Sequence, residues 1–151
     1  MLETGSPAPQ LVLEDTDGRP VRLPGDHAVL LYFMRSTTCP VCRRHVRALV
    51  EDATLAAAGV RVLIGVPEDR ETAAAWRAKH EIPFPVVTGR RGTPHELVGL
   101  GRAVFGALQR SGSILVDAQG VVRHAHSATL PTGSYDRAGI AAAVAALGAP
   151  A

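Results

Sequence analysis

Residues 28–42 have the sequence AVLLYFMRSTTCPVC, and this stretch decides how the chain folds. Residues 27–34 are almost entirely apolar, which is typical of a strand buried on both faces. A short polar loop, residues 35–38, separates this strand from the CPVC segment at residues 39–42. From the proline onward apolar residues recur at helical spacing until Gly59. The sequence therefore predicts a strand, a loop and a helix that begins at a pair of cysteines.

The remaining pattern places further strands and helices on both sides of this unit. Thr93 and Glu96 form a capping-box pattern at the start of one helix. The other predicted elements are a hairpin over 11–23, a strand over 60–66, a helix over 68–80, a strand entered through the proline-pinned segment 82–87, a helix over 93–108, a hairpin over 114–123 and a helix over 136–147. This order predicts an α/β, three-layer sandwich with a central mixed sheet and an N-terminal β-hairpin. The β-α-β unit followed by β-β-α is the thioredoxin-like arrangement, and we expect one such domain over residues 1–151.

The composition of the chain argues against a nucleic-acid-binding protein and against a membrane protein. The chain has 151 residues, 46% of them hydrophobic and 20% charged, with a net charge of +2. No basic run with interleaved aromatic residues is present, so nucleic-acid binding has little support. The apolar run at 28–34 is too short to span a bilayer, and residues 1–10 do not resemble a signal peptide. We therefore expect a cytoplasmic protein without a membrane partner.

The cysteine pair is the strongest chemical signal. A C-x-x-C pair in a reducing compartment indicates redox chemistry or metal binding. At the start of a helix, free backbone N–H groups and the helix dipole favour a thiolate. Cysteines three residues apart on a first helical turn are also close enough for a disulfide. We expect Cys39 to be the more exposed, attacking sulfur and Cys42 to be the resolving one.

Polar residues beside the pair are candidates for supporting roles. Arg35 lies in the loop between the strand and Cys39, where its guanidinium can reach a thiolate or an oxyanion. The hydroxyls of Ser36 and Thr38 can donate hydrogen bonds to the same centre or cap the helix. Arg43 and Arg44 are better explained as a solvated helix face.

Other interpretations of the pair stay open. A zinc site needs further ligands, and His45 is the one histidine near the pair. An inert, buried pair is also conceivable, because free cysteine packs as a small hydrophobic residue. His124 and His126 are two apart on a predicted strand, which indicates a solvent-facing pair rather than ligands. We expect no metal and no cofactor.

With these residues described, the chain resembles a peroxiredoxin-like protein of the alkyl hydroperoxide reductase and thiol-specific antioxidant (AhpC/TSA) superfamily. The resemblance runs through residues 5–18, 33–43, 82–87 and 114–120, and the CPVC segment is similar to an atypical, CPxC-containing branch. The family implies that Cys39 is the peroxidatic cysteine and that Cys42 resolves it.

The sequence also departs from the family pattern. A typical member has a proline seven residues before the attacking cysteine, where this chain has Tyr32, whereas Ser36 fits the expected hydroxyl three residues before it. The usual active-site arginine corresponds to Ser111. Arg110, one position away, is a weaker candidate because a shift of one residue reverses the face of a strand.

Three functions follow. The first is reduction of hydroperoxides through a Cys39 sulfenic acid that Cys42 converts to a disulfide, restored by a thioredoxin-like or other dithiol reductant. The second is a thiol–disulfide oxidoreductase that acts on protein or small-molecule disulfides. The third is a redox-responsive or zinc-holding interaction module. Relatives of the family often associate, so a homodimer is a further expectation.

Overall fold

The strands of the computed structural model form one large sheet and one small one. The structure describes residues 2–103 and 105–147. The strands are β1 (Leu11–Asp15), β2 (Pro20–Leu23), β3 (Val29–Phe33), β4 (Arg61–Gly65), β5 (Val86–Gly89), β6 (Arg102–Ala103), β7 (Leu108–Gln109), β8 (Ser111–Val116) and β9 (Val122–Ala128). Seven of them form a sheet of order β2-β1-β5-β4-β3-β8-β9, and β6 pairs with β7.

Within residues 2–103 and 105–147, five α-helices and one short 3-10 helix lie between or after these strands. They are α1 (Pro40–Glu51), α2 (Ala53–Ala57), α3 (Arg70–Lys79), α4 (Pro94–Leu97), α5 (Arg137–Leu147) and the 3-10 helix Pro131–Gly133. Within the described part of the chain, every helix lacks the combination of length and apolar character that a membrane crossing requires.

The large sheet is mixed, as the sequence predicts. Strand β3 runs parallel to β4 and antiparallel to β8, and β5 runs parallel to β4 but antiparallel to β1. All five residues of β3 are buried, because this central strand is covered on both faces. Because β3 lies in the middle of the sheet, the loop that follows it and helix α1 also begin there.

Alternate residues of β3 divide the core into two clusters. Leu30 and Tyr32 pack with α1, α3 and α5 on one face of the sheet. Leu31 and Phe33 pack on the other face against the first hairpin and the segment after α4. This alternation follows from the period of two along a strand. Tyr32 thereby points toward the helix that carries the cysteines.

The helix expected over residues 93–108 is wrong beyond its first turn. The capping box of Thr93 and Glu96 is present, but α4 ends at Leu97. Gly99 and Gly106 have φ values of 79° and 83°, a left-handed conformation that interrupts a helix. The chain instead forms the β6–β7 pair. The third layer of the predicted sandwich is therefore α4 and the segment after it.

The long helix expected from residue 40 to residue 59 is also interrupted. Asp52 adopts an extended conformation that ends α1, and its carboxylate accepts from the Thr54 N–H at 3.0 Å, which caps α2. An aspartate side chain competes well for helix N–H groups, so it favours a new start over a continuous helix.

Candidate active site

Cys39 is the residue that caps α1. It has an extended conformation, with φ −81° and ψ 110°, and its sulfur accepts from the Cys42 N–H at 3.2 Å. Pro40 occupies the first turn of the helix, where a missing N–H costs no helical bond. The Cys39 sulfur therefore lies at the positive end of the helix dipole, as the sequence predicts.

Both thiols are more buried than expected. The exposed fraction is 1% for Cys39 and 0% for Cys42, so the predicted difference in exposure between the two sulfurs is very small. The cause is packing, since both side chains belong to the core cluster between the sheet and the helices. The two cysteines differ instead in what they face.

Cys39 faces a cavity of about 400 Å³ between the start of α1 and helix α3. Trp76 contributes an apolar wall, and Arg43, Lys79 and His80 contribute basic side chains. Burial lowers the pKa of His80, and the nearby charges of Arg43, Lys79 and Arg47 lower it further. The lining residues are Thr37, Thr38, Cys39, Pro40, Arg43, Thr72, Ala75, Trp76, Lys79 and His80.

Cys42 lies behind Cys39 in the core, with no exposed surface. Burial raises the pKa of the Cys42 thiol to about 12, and its hydrogen bond with the Cys39 side chain acts in the same direction. The Arg35 backbone N–H donates to the Cys42 sulfur at 3.4 Å and opposes the shift. At neutral pH the Cys42 thiol is therefore protonated.

Beneath Cys42 a buried polar network connects β3, α1 and the 3-10 helix. The Tyr32 hydroxyl lies 2.8 Å from His45 Nδ1 and 2.9 Å from Ser134 Oγ. Ser134 Oγ lies 3.2 Å from the same nitrogen and donates to the Pro131 carbonyl at 2.8 Å. Burial raises the pKa of Tyr32, so its hydroxyl stays protonated.

Sequence reasoning missed this network. Tyr32 and Ser134 are 102 positions apart, and only the tertiary fold brings them together. One signal was available: His45 follows Cys42 by three residues, so both side chains lie on the same face of α1.

The loop before Cys39 is held by a residue that the sequence did not indicate. The Glu68 carboxylate accepts from the Thr37 N–H at 2.8 Å and from the Thr37 hydroxyl. The hydroxyls of Ser36 and Thr38 lie 3.0 Å apart and bond to each other. Helix α1 is capped by Cys39, so capping, which was one of the two roles left open for Ser36 and Thr38, is not their role.

The two arginine candidates have different positions. Arg35 meets the cysteine pair through its backbone N–H, and its buried Nε has no hydrogen-bond partner in the described structure. Arg110 is exposed, and its backbone N–H donates to the Gly101 carbonyl at 3.3 Å. The described contacts of Arg110 do not include either sulfur. Ser111 is fully buried at the start of β8.

The histidines of β9 are not a solvent-facing pair. Their rings stack at 6.4 Å, and the side chain of His124 is only 11% exposed. Both rings face the Asp136 carboxylate near the start of α5, with N–O distances of 3.9 Å for His124 and 4.0 Å for His126. Among residues 2–103 and 105–147, no group of three or more His, Cys, Asp and Glu side chains is arranged to hold a metal ion.

Solved structures define the class of fold to which this site belongs. The structure aligns with the peroxidoxin BcpB of Mycobacterium tuberculosis with a TM-score of 0.76 and 21% identity over 97% of both chains. It aligns with a peroxiredoxin-like protein from Aquifex aeolicus with a TM-score of 0.81 and 18% identity, over 97% of this chain and 88% of that one. The fold is therefore the thioredoxin-like fold of peroxiredoxin structures.

The sequence identifies the family within that class. The profile of the AhpC/TSA family matches residues 4–125, and the chain belongs to this family. Peroxiredoxin Q, chloroplastic, from Oryza sativa subsp. japonica is 25% identical over 126 residues, which cover 82% of this chain and 58% of that protein. The putative peroxiredoxin Q of Oryza sativa subsp. indica matches equally. The chain thus spans less than two thirds of the length of these curated relatives.

Proposed function

We propose that the protein is a thiol peroxidase that reduces hydroperoxides through Cys39. One observation carries this proposal: the Cys39 sulfur caps α1 and borders the cavity, whereas the Cys42 sulfur lies protonated behind it. A hydroperoxide that enters the cavity meets Cys39 first. Membership of the AhpC/TSA family supports the same chemistry.

The proposed reaction has two steps in the protein. The Cys39 thiolate attacks the terminal oxygen of the peroxide, the O–O bond breaks, and the alkoxide takes a proton to leave as an alcohol. Cys39 is then a sulfenic acid. The Cys42 sulfur attacks Cys39, a disulfide forms, and water leaves. An external dithiol reduces the disulfide by thiol–disulfide exchange.

We assign supporting roles to the residues around Cys39. The Cys42 N–H already donates to the Cys39 sulfur, and such a donor stabilises negative charge there. Arg43 lines the cavity and can neutralise the oxygen that leaves. The mutual hydrogen bond of Ser36 and Thr38 holds their hydroxyls in the loop before Cys39. The Arg35 backbone N–H donates to the Cys42 sulfur and favours its thiolate.

The test is peroxide consumption by the reduced protein in the presence of a recycling dithiol. We expect consumption that is lost in Cys39→Ser. The competing function, thiol–disulfide exchange, is supported by the dithiol at the helix start. Inertness to hydrogen peroxide and to an organic hydroperoxide, together with brisk reduction of insulin disulfides, would move the assignment to that function.

We further propose a thioredoxin-type dithiol as the reductant, because the disulfide must be reduced by thiol–disulfide exchange. We propose the cytoplasm as the compartment, because it keeps thiols reduced. We keep residues 1–151 as one redox domain, since Ile140 and Val144 of α5 pack in the same core cluster as the cysteines. A homodimer is the assembly to be tested by light scattering.

A further inference from the structure

We propose that the cavity beside Cys39 selects compact organic hydroperoxides that carry a carboxylate, and that Arg43 and Lys79 bind this carboxylate. The inference rests on the proposed function and deepens it, because it names the class of hydroperoxide that the site reduces. A neutral hydroperoxide of the same shape is then the poorer substrate.

Arg43 lies one helical turn from Cys39, on the same face of α1. The Arg43 backbone N–H donates to the Cys39 carbonyl at 3.1 Å, which closes this turn. Residues four apart on a helix have about 5–6 Å between their Cβ atoms, and both side chains line the cavity. A molecule that meets the sulfur and the guanidinium together therefore needs only a few atoms between its peroxide and its anionic group.

The wall of the cavity is positively charged. Apart from the cysteine, its ionisable side chains are Arg43, Lys79 and His80, and no carboxylate is among the described lining residues. In the described part of the chain, neither Arg43 nor Lys79 takes part in an ion pair. After burial, the charges of Arg43, Lys79 and Arg47 each lower the pKa of His80, so these cations act on the same place. The wall thus favours an anion.

The Arg43 side chain is packed against the protein and is not extended into solvent. Its Nε is buried and has no hydrogen-bond partner in the part of the chain that the structure describes. A guanidinium held in this way is partly ordered before a ligand binds, which lowers the entropic cost of binding. Among anionic groups, a carboxylate matches the planar edge of a guanidinium with two oxygens.

Trp76 gives the cavity an apolar surface for the body of the molecule. The ring centroid of Trp76 lies 5.8 Å from that of His80, and Pro40 and Ala75 complete the apolar part of the wall. The volume of about 400 Å³ lies within the range of about 300–1,000 Å³ that small-molecule sites have. An organic group of the size of one aromatic ring fits this space, whereas hydrogen peroxide leaves most of it unfilled.

The carboxylate takes no part in the bonds that change. The Cys39 thiolate takes the terminal oxygen and becomes a sulfenic acid, the O–O bond breaks, and the alkoxide takes one proton from solvent. The product is an alcohol that keeps its carboxylate. Arg43 and Lys79 contribute by holding the peroxide against the sulfur.

The experiment compares two hydroperoxides of the same shape. Cumene hydroperoxide is neutral, and its para-carboxylate carries one negative charge at neutral pH. We measure kcat/KM for both, with a recycling dithiol in excess, in the parent protein, Arg43→Gln and Lys79→Gln. Arg44→Gln is the matched control, because it removes one positive charge from an exposed position of α1 that does not line the cavity.

We expect the parent protein to use the carboxylate about tenfold better than cumene hydroperoxide, since a charge-assisted contact in a partly exposed site contributes about this factor. The ratio of the two kcat/KM values should fall to about threefold or less in Arg43→Gln and in Lys79→Gln, and it should stay near tenfold in Arg44→Gln. The ratio is the readout because Arg43 also lies near the leaving oxygen of both hydroperoxides.

A binding measurement separates this inference from the proposed function. The reduced parent protein is titrated with the two product alcohols, neutral and carboxylated, and the fluorescence of Trp76, the one tryptophan of the chain, reports binding without turnover. We expect the carboxylated alcohol to bind about tenfold more tightly.

Equal kcat/KM values for the two hydroperoxides in the parent protein would overturn the inference, as would a ratio that neither Arg43→Gln nor Lys79→Gln changes. Failure of the proposed function is seen separately, as consumption of neither hydroperoxide. In that case the titration decides, and equal affinities for the two alcohols would overturn the inference.

Discussion

Cys39 and Cys42 are three residues apart, yet their surroundings differ in kind. Cys39 borders a cavity with Trp76 and basic side chains in its wall. Cys42 lies in the same core cluster as Tyr32, whose hydroxyl belongs to a buried polar network with His45 and Ser134. One turn of α1 therefore separates a side that borders a cavity from a side that is closed off in the core. The difference teaches that exposure does not distinguish the two thiols, because both are buried, whereas their polar neighbours do.

The largest effect is expected from removing either sulfur. Cys39→Ser should reduce peroxide consumption to the uncatalysed level, since the group that attacks is gone. Cys42→Ser should give one rapid turnover and then stall as a sulfenic acid, because no internal thiol is available. Single-turnover mixing followed by mass spectrometry checks both. Equal loss of the first turnover in the two variants would contradict the comparison.

The next effect concerns alkylation of the reduced protein at neutral pH. Cys42, with its pKa near 12, should react with iodoacetamide at least roughly a hundredfold more slowly than Cys39, because only the thiolate reacts. The Cys42 rate should rise with pH toward its pKa. Peptide mapping against time gives both rates. Similar rates for the two cysteines would show that their environments do not differ as described.

A smaller effect is expected at Glu68, which holds the loop on the cavity side. Glu68→Ala leaves the Thr37 N–H and hydroxyl without their acceptor. The free energy of unfolding should fall by about 2 kcal/mol, and oxidation of Cys39 should slow about tenfold as the loop loosens. Glu71→Ala, an exposed glutamate on α3, is the control. An unchanged oxidation rate in Glu68→Ala would show that the contacts between Glu68 and Thr37 do not influence the reactivity of Cys39.

The smallest effect on activity is expected at His95, a fully buried histidine that contacts neither sulfur in the described structure. Its Nε2 lies 2.6 Å from the Met34 carbonyl, and burial lowers its pKa to about 4. The unfolded chain then binds a proton that the folded chain does not, so stability falls as pH drops from 6.5 toward 4, by about 3 kcal/mol.

His95→Gln should flatten this acid loss of stability while the neutral-pH oxidation rate stays near that of the parent. Urea unfolding at several pH values measures the loss, and His27→Gln, at an exposed histidine, is the control. An acid transition in His95→Gln identical to that of the parent would show that other groups control it.

Much of the fold was predictable because local patterns and tertiary packing agree. The buried run of β3, the helix start at the cysteines and the mixed sheet all follow from short-range signals. The errors lie where a local signal was overridden or overlooked. Gly99 ends α4 after one turn, and Asp52 divides one expected helix into two.

Only those parts of the candidate site that are close together in the sequence were predictable. The C-x-x-C spacing and the proline fix the position of Cys39 at the start of α1. Glu68 and Ser134 reach the site from distant segments, and neither carries a motif that indicates its contact. The burial of Cys39 was also hidden, because it depends on how α3 packs over the loop rather than on the polarity of neighbouring residues.

The most direct test of the central claim locates the first oxidised sulfur. Reduced Cys42→Ser and Cys39→Ser proteins are mixed with one equivalent of hydroperoxide and with dimedone, and the adduct is mapped by mass spectrometry. We predict a rapid adduct on Cys39 in Cys42→Ser and none on Cys42 in Cys39→Ser. An adduct that forms rapidly on Cys42, with Cys39 unmodified, would contradict the account.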